Sequence, residues 1–192
     1  MKVTFIILWI IIITIVFKFI IESLSNYFNP EPEWDKVGVK TIGTVSQIKT
    51  GRPNYTSFTF EVDGEEYMAE STFSSFGLTY TERYEILYSK ENYEKIKVIP
   101  WKPVILKSEE DDFFEIEGKV MKLINTNPFS INSDYSKILF KFYIDNVMYE
   151  KSQFLPPNFR ELYPNIESYQ TCKVKYWKYD PQRAILLLND CK

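Results

Sequence analysis

Histidine is absent from this chain of 192 residues, and the absence removes several kinds of chemistry. Ser-His-Asp and Cys-His catalysis and His-ligated metal sites all require an imidazole. The sequence also has no G-x-S-x-G, G-x-G-x-x-G or P-loop motif. We therefore expect no catalytic, cofactor-binding or metal-binding residues, and we predict that the protein is not an enzyme.

Glycine is scarce as well, with 6 residues against 14 Tyr and 15 Phe. This composition favours packed strands over disordered or low-complexity segments. The formal net charge of −3 is not the basic footprint that a nucleic-acid-binding protein shows. We therefore expect a folded, mainly β protein with no nucleic-acid partner.

The segment Val3–Ile21 is apolar apart from Lys18 and is long enough to cross a bilayer as a helix. Lys2 precedes it and acidic residues from Glu22 onward follow it. By the positive-inside bias, residues 1–29 are predicted to form a single-pass anchor with a cytoplasmic N-terminus and extracytoplasmic C-terminal domains. The alternative is a signal peptide, which would leave a secreted protein after cleavage.

The acidic run Glu109–Asp112 separates two strand-patterned segments. It lacks the alternating spacing and the turn glycine of a calcium loop, so we interpret residues 108–112 as a solvated linker. This divides the remainder into a first β-domain at 30–107 and a second at 113–192. The expected fold class is mainly β, with an N-terminal transmembrane helix followed by two tandem small β-barrel or β-sandwich-like domains.

The two segments repeat each other. Phe58–Val62 leads into Asp63-Gly64, and Phe140–Ile144 leads into Asp145-Asn146. Residues of these types tolerate the positive φ angles of a two-residue type I′ turn, so each segment is predicted to contain a β-hairpin.

The turns set the register of both hairpins. With two-residue loops, Phe60 faces Tyr67 in the first segment and Phe142 faces Tyr149 in the second. We expect these recurring aromatic pairs to line a core. A further hairpin is predicted to close each segment, and Tyr88 corresponds to Tyr176.

The only two cysteines are Cys172 and Cys191. If Pro181-Gln182 is the loop of the last hairpin, the register places these cysteines opposite each other. A disulfide in an oxidising compartment and a pair of buried free thiols are both open at this point.

The second segment has a G-x-V opening at Gly118–Val120, a central hairpin at Phe142–Tyr149 and a closing run at Val174–Pro181. This pattern resembles a bacterial family of membrane-tethered domains of unknown function, whose members pair transmembrane helices with a small β-domain. The resemblance covers residues 116–188, with a fainter copy at 41–99. It implies a β-domain in a membrane context and specifies no active site.

Carboxylate pairs are the remaining route to catalysis. Asp63 with Glu65 and Asp145 with Glu150 could do acid/base work, but they lie at predicted hairpin tips, where turn formation explains the aspartates. A carboxylate-based hydrolase is therefore the third of our functional hypotheses.

Three aromatic side chains are predicted to face solvent. Strand alternation points Tyr143 and Trp177 away from the core, and Tyr179 falls in a turn. Exposed aromatics mark partner surfaces, so we expect a non-catalytic binding module with a protein partner, such as an envelope or immunity-type protein. The alternative is a periplasmic protein that binds a lipid or other apolar ligand between its two domains.

Overall fold

The computed structural model describes residues 13–18, 32–50, 55–71, 77–124, 136–166 and 171–192. By its internal contacts the chain divides into two compact units, residues 1–37 and residues 38–192. The second unit contains two five-stranded sheets. The prediction of a mainly β protein is therefore confirmed.

In the first unit, residues 13–18 are helical and Trp34–Val37 forms a short helix. Most of the predicted anchor Val3–Ile21 lies outside the described residues. Among the residues that are described, no helix is both long and apolar enough to span a membrane. The anchor at residues 1–29 therefore stays a prediction.

The first sheet is antiparallel and has the strand order β3-β2-β1-β4-β5. Its strands are β1 (Gly38–Lys49), β2 (Tyr55–Val62), β3 (Glu65–Ser71), β4 (Arg83–Ser89) and β5 (Asn92–Pro103). We call residues 38–103 the first half.

The second sheet is also antiparallel and has the order β10-β9-β6-β7-β8. Its strands are β6 (Phe113–Ile124), β7 (Lys137–Ile144), β8 (Val147–Phe154), β9 (Cys172–Trp177) and β10 (Asp180–Leu187). A short helix, Phe159–Leu162, lies between β8 and β9. We call residues 113–192 the second half. The two sheets thus have the same order, although the domain boundaries at 30–107 and 113–192 stay predictions.

Both sheets follow a Greek-key path. Three consecutive strands lie side by side, and the fourth returns to pair with the first. In the first sheet the edge strands β3 and β5 also contact each other, which curls the sheet toward a barrel.

The first strand of each half carries a bulge at the same place. The register of β1 against β2 shifts between Val45 and Gln47, and that of β6 against β7 shifts between Val120 and Lys122. A bulge bends its strand and increases the local twist, which a sheet that curls on itself requires. The duplication therefore extends to an irregularity of the backbone.

A glycine precedes each bulge because the neighbouring strand lies too close for a side chain. A Cβ at Gly43 would lie 2.9 Å from Cδ1 of Ile86, and a Cβ at Gly118 would lie 2.4 Å from Cγ2 of Val174. Both glycines thus let a large apolar side chain of the adjacent strand cover the first strand.

The two hairpin turns form as their residue types predict. The φ angles are 53° at Asp63 and 86° at Gly64, and 49° at Asp145 and 65° at Asn146. All four lie in the left-handed region that a type I′ turn needs. The predicted cross-strand partners are confirmed in both hairpins.

The predicted aromatic pair of the first half extends to a third ring. The ring centroid of Phe60 lies 6.1 Å from that of Tyr67 and 5.7 Å from that of Tyr88. Phe60 is buried, and these rings belong to the core of the first half.

The second half repeats this stack. The ring of Phe142 lies 5.5 Å from Tyr149 and 5.9 Å from Tyr176. These residues belong to a separate core cluster, so each half has its own hydrophobic core. The correspondence of Tyr88 with Tyr176 is therefore confirmed.

The register expected for the last hairpin is wrong. Pro181-Gln182 is not its loop, because Asp180 already pairs with Trp177 and the register then shifts so that Ala184 pairs with Tyr176. The residues between these pairs form an irregular segment. The Asp-Pro sequence looks like a turn but lies within β10.

The two cysteines consequently do not face each other across the sheet. Strand β10 ends at Leu187, and a 3-10 turn at Leu188–Asp190 turns the chain toward β9. The Sγ atoms of Cys172 and Cys191 are bonded in a disulfide. The disulfide thus joins the start of β9 to the segment that follows β10.

The acidic run is more than a solvated linker. Lys107–Asp112 forms a 3-10 helix between the two sheets. Glu109 pairs with Arg83 and with Arg183, and Asp112 lies 2.6 Å from Nζ of Lys178. The charge pattern alone did not show that these carboxylates have cationic partners far away in the sequence.

Candidate functional site

Two of the three predicted surface aromatics lie together at the turn between β9 and β10. The ring centroids of Trp177 and Tyr179 are 5.1 Å apart in an edge-to-face arrangement. Tyr179 is exposed, but the Arg183 guanidinium lies 5.0 Å from the Trp177 ring, and Nε1 of Trp177 is buried. Trp177 is therefore only partly exposed, because its ring packs against an arginine that is itself only 3% exposed. Its role in partner binding, like that of Tyr179, stays a prediction.

The third aromatic, Tyr143, belongs to a different surface. It pairs across the β7–β8 hairpin with Met148, one residue from Val147. All three side chains are about half exposed, with fractions of 48% for Tyr143, 54% for Val147 and 53% for Met148. We call these three residues the apolar tip. Sequence reasoning missed Val147 and Met148, although the Asp145-Asn146 turn already placed Met148 opposite Tyr143.

The equivalent hairpin of the first half has a different surface. Glu61 pairs with Glu66 where the second half has Tyr143 and Met148, and Glu65 stands where the second half has Val147. The fold thus accepts charged side chains at all three positions. It does not require the apolar tip.

A polar junction joins the two halves. Nζ of Lys151 on β8 forms an ion pair with Glu82, and both side chains are almost fully buried. The same ammonium donates hydrogen bonds to Oγ1 of Thr79 at 3.1 Å and to the Gln182 carbonyl at 2.5 Å. The lysine therefore uses its three N–H donors on two residues of the first half and one of the second.

The carboxylate of Glu82 is also held by its own half. It accepts hydrogen bonds from the Thr79 amide at 2.9 Å and the Tyr84 hydroxyl at 3.0 Å. Burial, together with the negative charge of Glu82, raises the pKa of Tyr84 well above its ordinary value. The Tyr84 hydroxyl consequently remains protonated and remains a donor.

A second ion cluster lies beside the first. Glu109 accepts from guanidinium nitrogens of Arg83 and of Arg183, the latter at 2.8 Å. Burial opposes the ionisation of Glu109, but the two arginines outweigh it and hold the pKa of this carboxyl below its ordinary value. One carboxylate from the connecting segment thus joins an arginine of each half.

A small cavity lies within the junction. Its volume is about 20 Å³, and its charged lining consists of Glu82, Arg83, Lys151 and Arg183. Ser152 also lines it. The volume suits one water or one ion of similar size, far less than a drug-sized ligand occupies.

An open groove of about 480 Å³ lies on the first sheet. Its lining includes Thr41, Thr44, Thr59, Glu61 and Glu66. Arg83 and the apolar residues Ile42, Phe60 and Leu106 complete the lining, so the groove is mixed in polarity.

The carboxylates of the hydrolase hypothesis occupy hairpin positions. Asp63 and Asp145 form the turns, Glu65 begins β3, and Glu150 pairs with Lys141 on the neighbouring strand. In the part of the chain that the structure describes, no three His, Cys, Asp or Glu side chains are grouped as metal ligands. The turn geometry accounts for the two aspartates.

Comparison of the chain with models of known protein families, with curated proteins and with solved structures finds no match. The resemblance to a membrane-tethered β-domain family therefore stays an expectation.

Proposed function

We propose that this protein is a non-catalytic binding module that engages a protein partner through the apolar tip formed by Tyr143, Val147 and Met148. We further propose that residues 3–21 anchor it in a membrane, with the two β-halves on the extracytoplasmic side. An envelope or immunity-type protein fits this architecture.

The observation that carries the proposal is the difference between the two equivalent hairpins. Both have the same register and the same type of turn, yet the first displays glutamates and the second displays a tyrosine, a valine and a methionine. Because the first half folds with charges there, stability of the hairpin does not explain the apolar residues. Tyrosine and methionine are enriched in protein interfaces, so partner binding is the explanation we favour.

The test replaces the apolar tip with the residues of the first half. Full-length protein carrying Tyr143→Glu and Met148→Glu, extracted in detergent, should keep its melting temperature. It should bind the stoichiometric partner recovered with the wild type at least about tenfold more weakly, as loss of a hot spot predicts. The partner is first identified by affinity purification of the wild type, and affinity is then measured with purified components.

Met121→Glu is the matched control. Met121 is 45% exposed and lies at the β6 bulge, away from the hairpin, so its substitution should leave binding unchanged. Equal loss of binding in the control, or full binding by the double variant, would remove the apolar tip from the interaction.

The anchor is tested separately. Carbonate washing of membranes should leave the full-length chain in the pellet, because Val3–Ile21 is a span-length apolar segment. A soluble form that begins near Asn26 would instead show that the segment is a cleaved signal peptide.

The alternative, an apolar ligand held between the two halves, receives less support. The junction is lined by charged side chains, and its cavity of about 20 Å³ is far below the 300 Å³ or more typical of ligand pockets. Stoichiometric lipid in the purified protein, with no protein partner, would favour this alternative over the proposal.

A further inference from the structure

The polar junction carries an excess of positive charge. Lys151, Arg83 and Arg183 supply three cationic groups, whereas Glu82 and Glu109 supply two carboxylates. Lys151 and Glu82 form one buried pair, so the two arginines share Glu109. Buried charge is costly unless it is balanced, and one positive charge of this cluster has no carboxylate of its own.

The hydrogen bonds to Glu109 engage only some of the donors of the two arginines. A guanidinium carries five N–H groups. Glu109 accepts from one nitrogen of Arg83 and from two nitrogens of Arg183. Arg183 is only 3% exposed, so bulk water has little access to its remaining donors.

A serine also borders this small space. Ser152 lines the cavity together with Arg83 and Arg183. Its Oγ is buried, and no protein group among the described residues forms a hydrogen bond with it. Gly77 packs against this atom, since a Cβ at Gly77 would lie 2.0 Å from Ser152 Oγ. A hydroxyl can donate a hydrogen bond to an anion. Neither carboxylate of the junction accepts such a bond from Ser152 Oγ.

From these observations we propose that the cavity between the two halves binds a monovalent inorganic anion of the size of chloride. The anion balances the charge of the shared arginines and accepts a hydrogen bond from Ser152 Oγ. The cavity volume of about 20 Å³ admits a single such ion and excludes organic anions. Because its ligands come from both halves, the bound anion stabilises their association.

The first experiment measures thermal unfolding of the full-length protein at constant ionic strength while sodium gluconate is replaced by sodium chloride. A ligand that binds only the folded state raises the melting temperature with its concentration. We expect a saturable rise with chloride and with bromide. Identical melting curves in gluconate and chloride at every ratio would overturn the proposal.

The matched variants are Ser152→Ala and Ser57→Ala. Both remove a buried hydroxyl without a hydrogen-bond partner among the described residues, but Ser57 does not line the cavity. Ser152→Ala should weaken the apparent chloride affinity about fivefold, as loss of one hydrogen bond predicts, while Ser57→Ala should leave it unchanged. An equal response of both variants would place the chloride effect elsewhere and overturn the proposal.

Diffraction gives an independent test. Crystals in sodium bromide should show an anomalous peak within hydrogen-bond distance of Ser152 Oγ. Density for a water at this position, with no anomalous signal, would show that the cavity is a hydration site and refute the anion.

Discussion

At the tip of the β2–β3 hairpin in the first half, Glu61 pairs with Glu66. At the equivalent positions of the β7–β8 hairpin in the second half, Tyr143 pairs with Met148. Beneath these tips, the strand order, the bulge and the stacked aromatic rings are the same. The comparison separates what this fold requires from what it tolerates. Core aromatics and the glycine before the bulge are shared, whereas the surface of the hairpin has diverged.

A second difference lies inside the sheets. Tyr84 pairs with Pro103 in the first half, whereas the corresponding residues of the second half, Cys172 and Cys191, form the disulfide. Each half therefore joins the start of its fourth strand to the end of the segment that follows that strand. The two halves do so by different means. The first uses strand pairing, whereas the second adds a covalent bond to the backbone hydrogen bonds between Thr171 and Lys192.

The largest effect should come from the residues that the halves share. Phe60→Ala and Phe142→Ala each remove a buried ring from the stack of their half, and each should lower the free energy of unfolding by about 3 to 5 kcal/mol. Urea unfolding monitored by circular dichroism measures both. A loss of binding with no loss of stability would mean that the rings form a binding site and not a core.

Removal of the disulfide should come next in size and should affect a feature of the second half alone. Cys172→Ala/Cys191→Ala opens a loop with a sequence separation of 19 residues and should cost about 2 to 4 kcal/mol. Reduction of the wild type should produce a similar decrease, while the double variant should not respond to reductant. If a reductant breaks the disulfide of the wild type and the free energy of unfolding does not fall, the disulfide contributes less stability than this.

The two glycines should differ in their tolerance. At Gly118 a new Cβ would meet Cγ2 of Val174 at 2.4 Å and the backbone oxygen of Lys141 at 3.1 Å, whereas at Gly43 it would first meet the end of the Ile86 side chain. Gly118→Ala should therefore cost about 1 to 3 kcal/mol, and Gly43→Ala should cost less because a side-chain end can move. Differential scanning calorimetry of both variants gives the order, and the reverse order would contradict the comparison.

The smallest effect concerns Lys137, which stands where the first half has Tyr55. Burial lowers the pKa of Lys137 to about 8, below its ordinary value in the unfolded chain. Between pH 8 and 10.5 the unfolded state therefore binds more protons, so the free energy of unfolding should rise with pH across this window. Below pH 8 the cost of the buried charge is present in full.

Lys137→Met removes this cost. At pH 7 the variant should be more stable than the wild type by about 1 to 2 kcal/mol, and the difference should disappear toward pH 10.5. Lys119→Met, at an exposed position, is the control and should show no such pH dependence. Parallel pH profiles for the wild type and Lys137→Met would show that Lys137 is not the titrating group.

Turn chemistry explains why some registers were predictable and one was not. Asp63-Gly64 and Asp145-Asn146 adopt positive φ angles at the positions their residue types favour, so the strand partners follow by counting. Asp180-Pro181 is also a turn-forming pair, but here it lies within β10. The packing of Arg183 against Phe113 and Trp177 belongs to this irregular segment, and no local rule contains those contacts.

By itself the sequence determined the duplicated hairpins, their aromatic pairs and the mainly β class, because those features depend on neighbours within a few residues and on alternation along a strand. Only the tertiary structure decided that Glu82 meets Lys151, that Glu109 joins Arg83 to Arg183, and that Trp177 packs against Arg183. The physical reason is that a charge attracts any opposite charge, whatever their separation along the chain. Which partner it meets is set by how the two sheets pack.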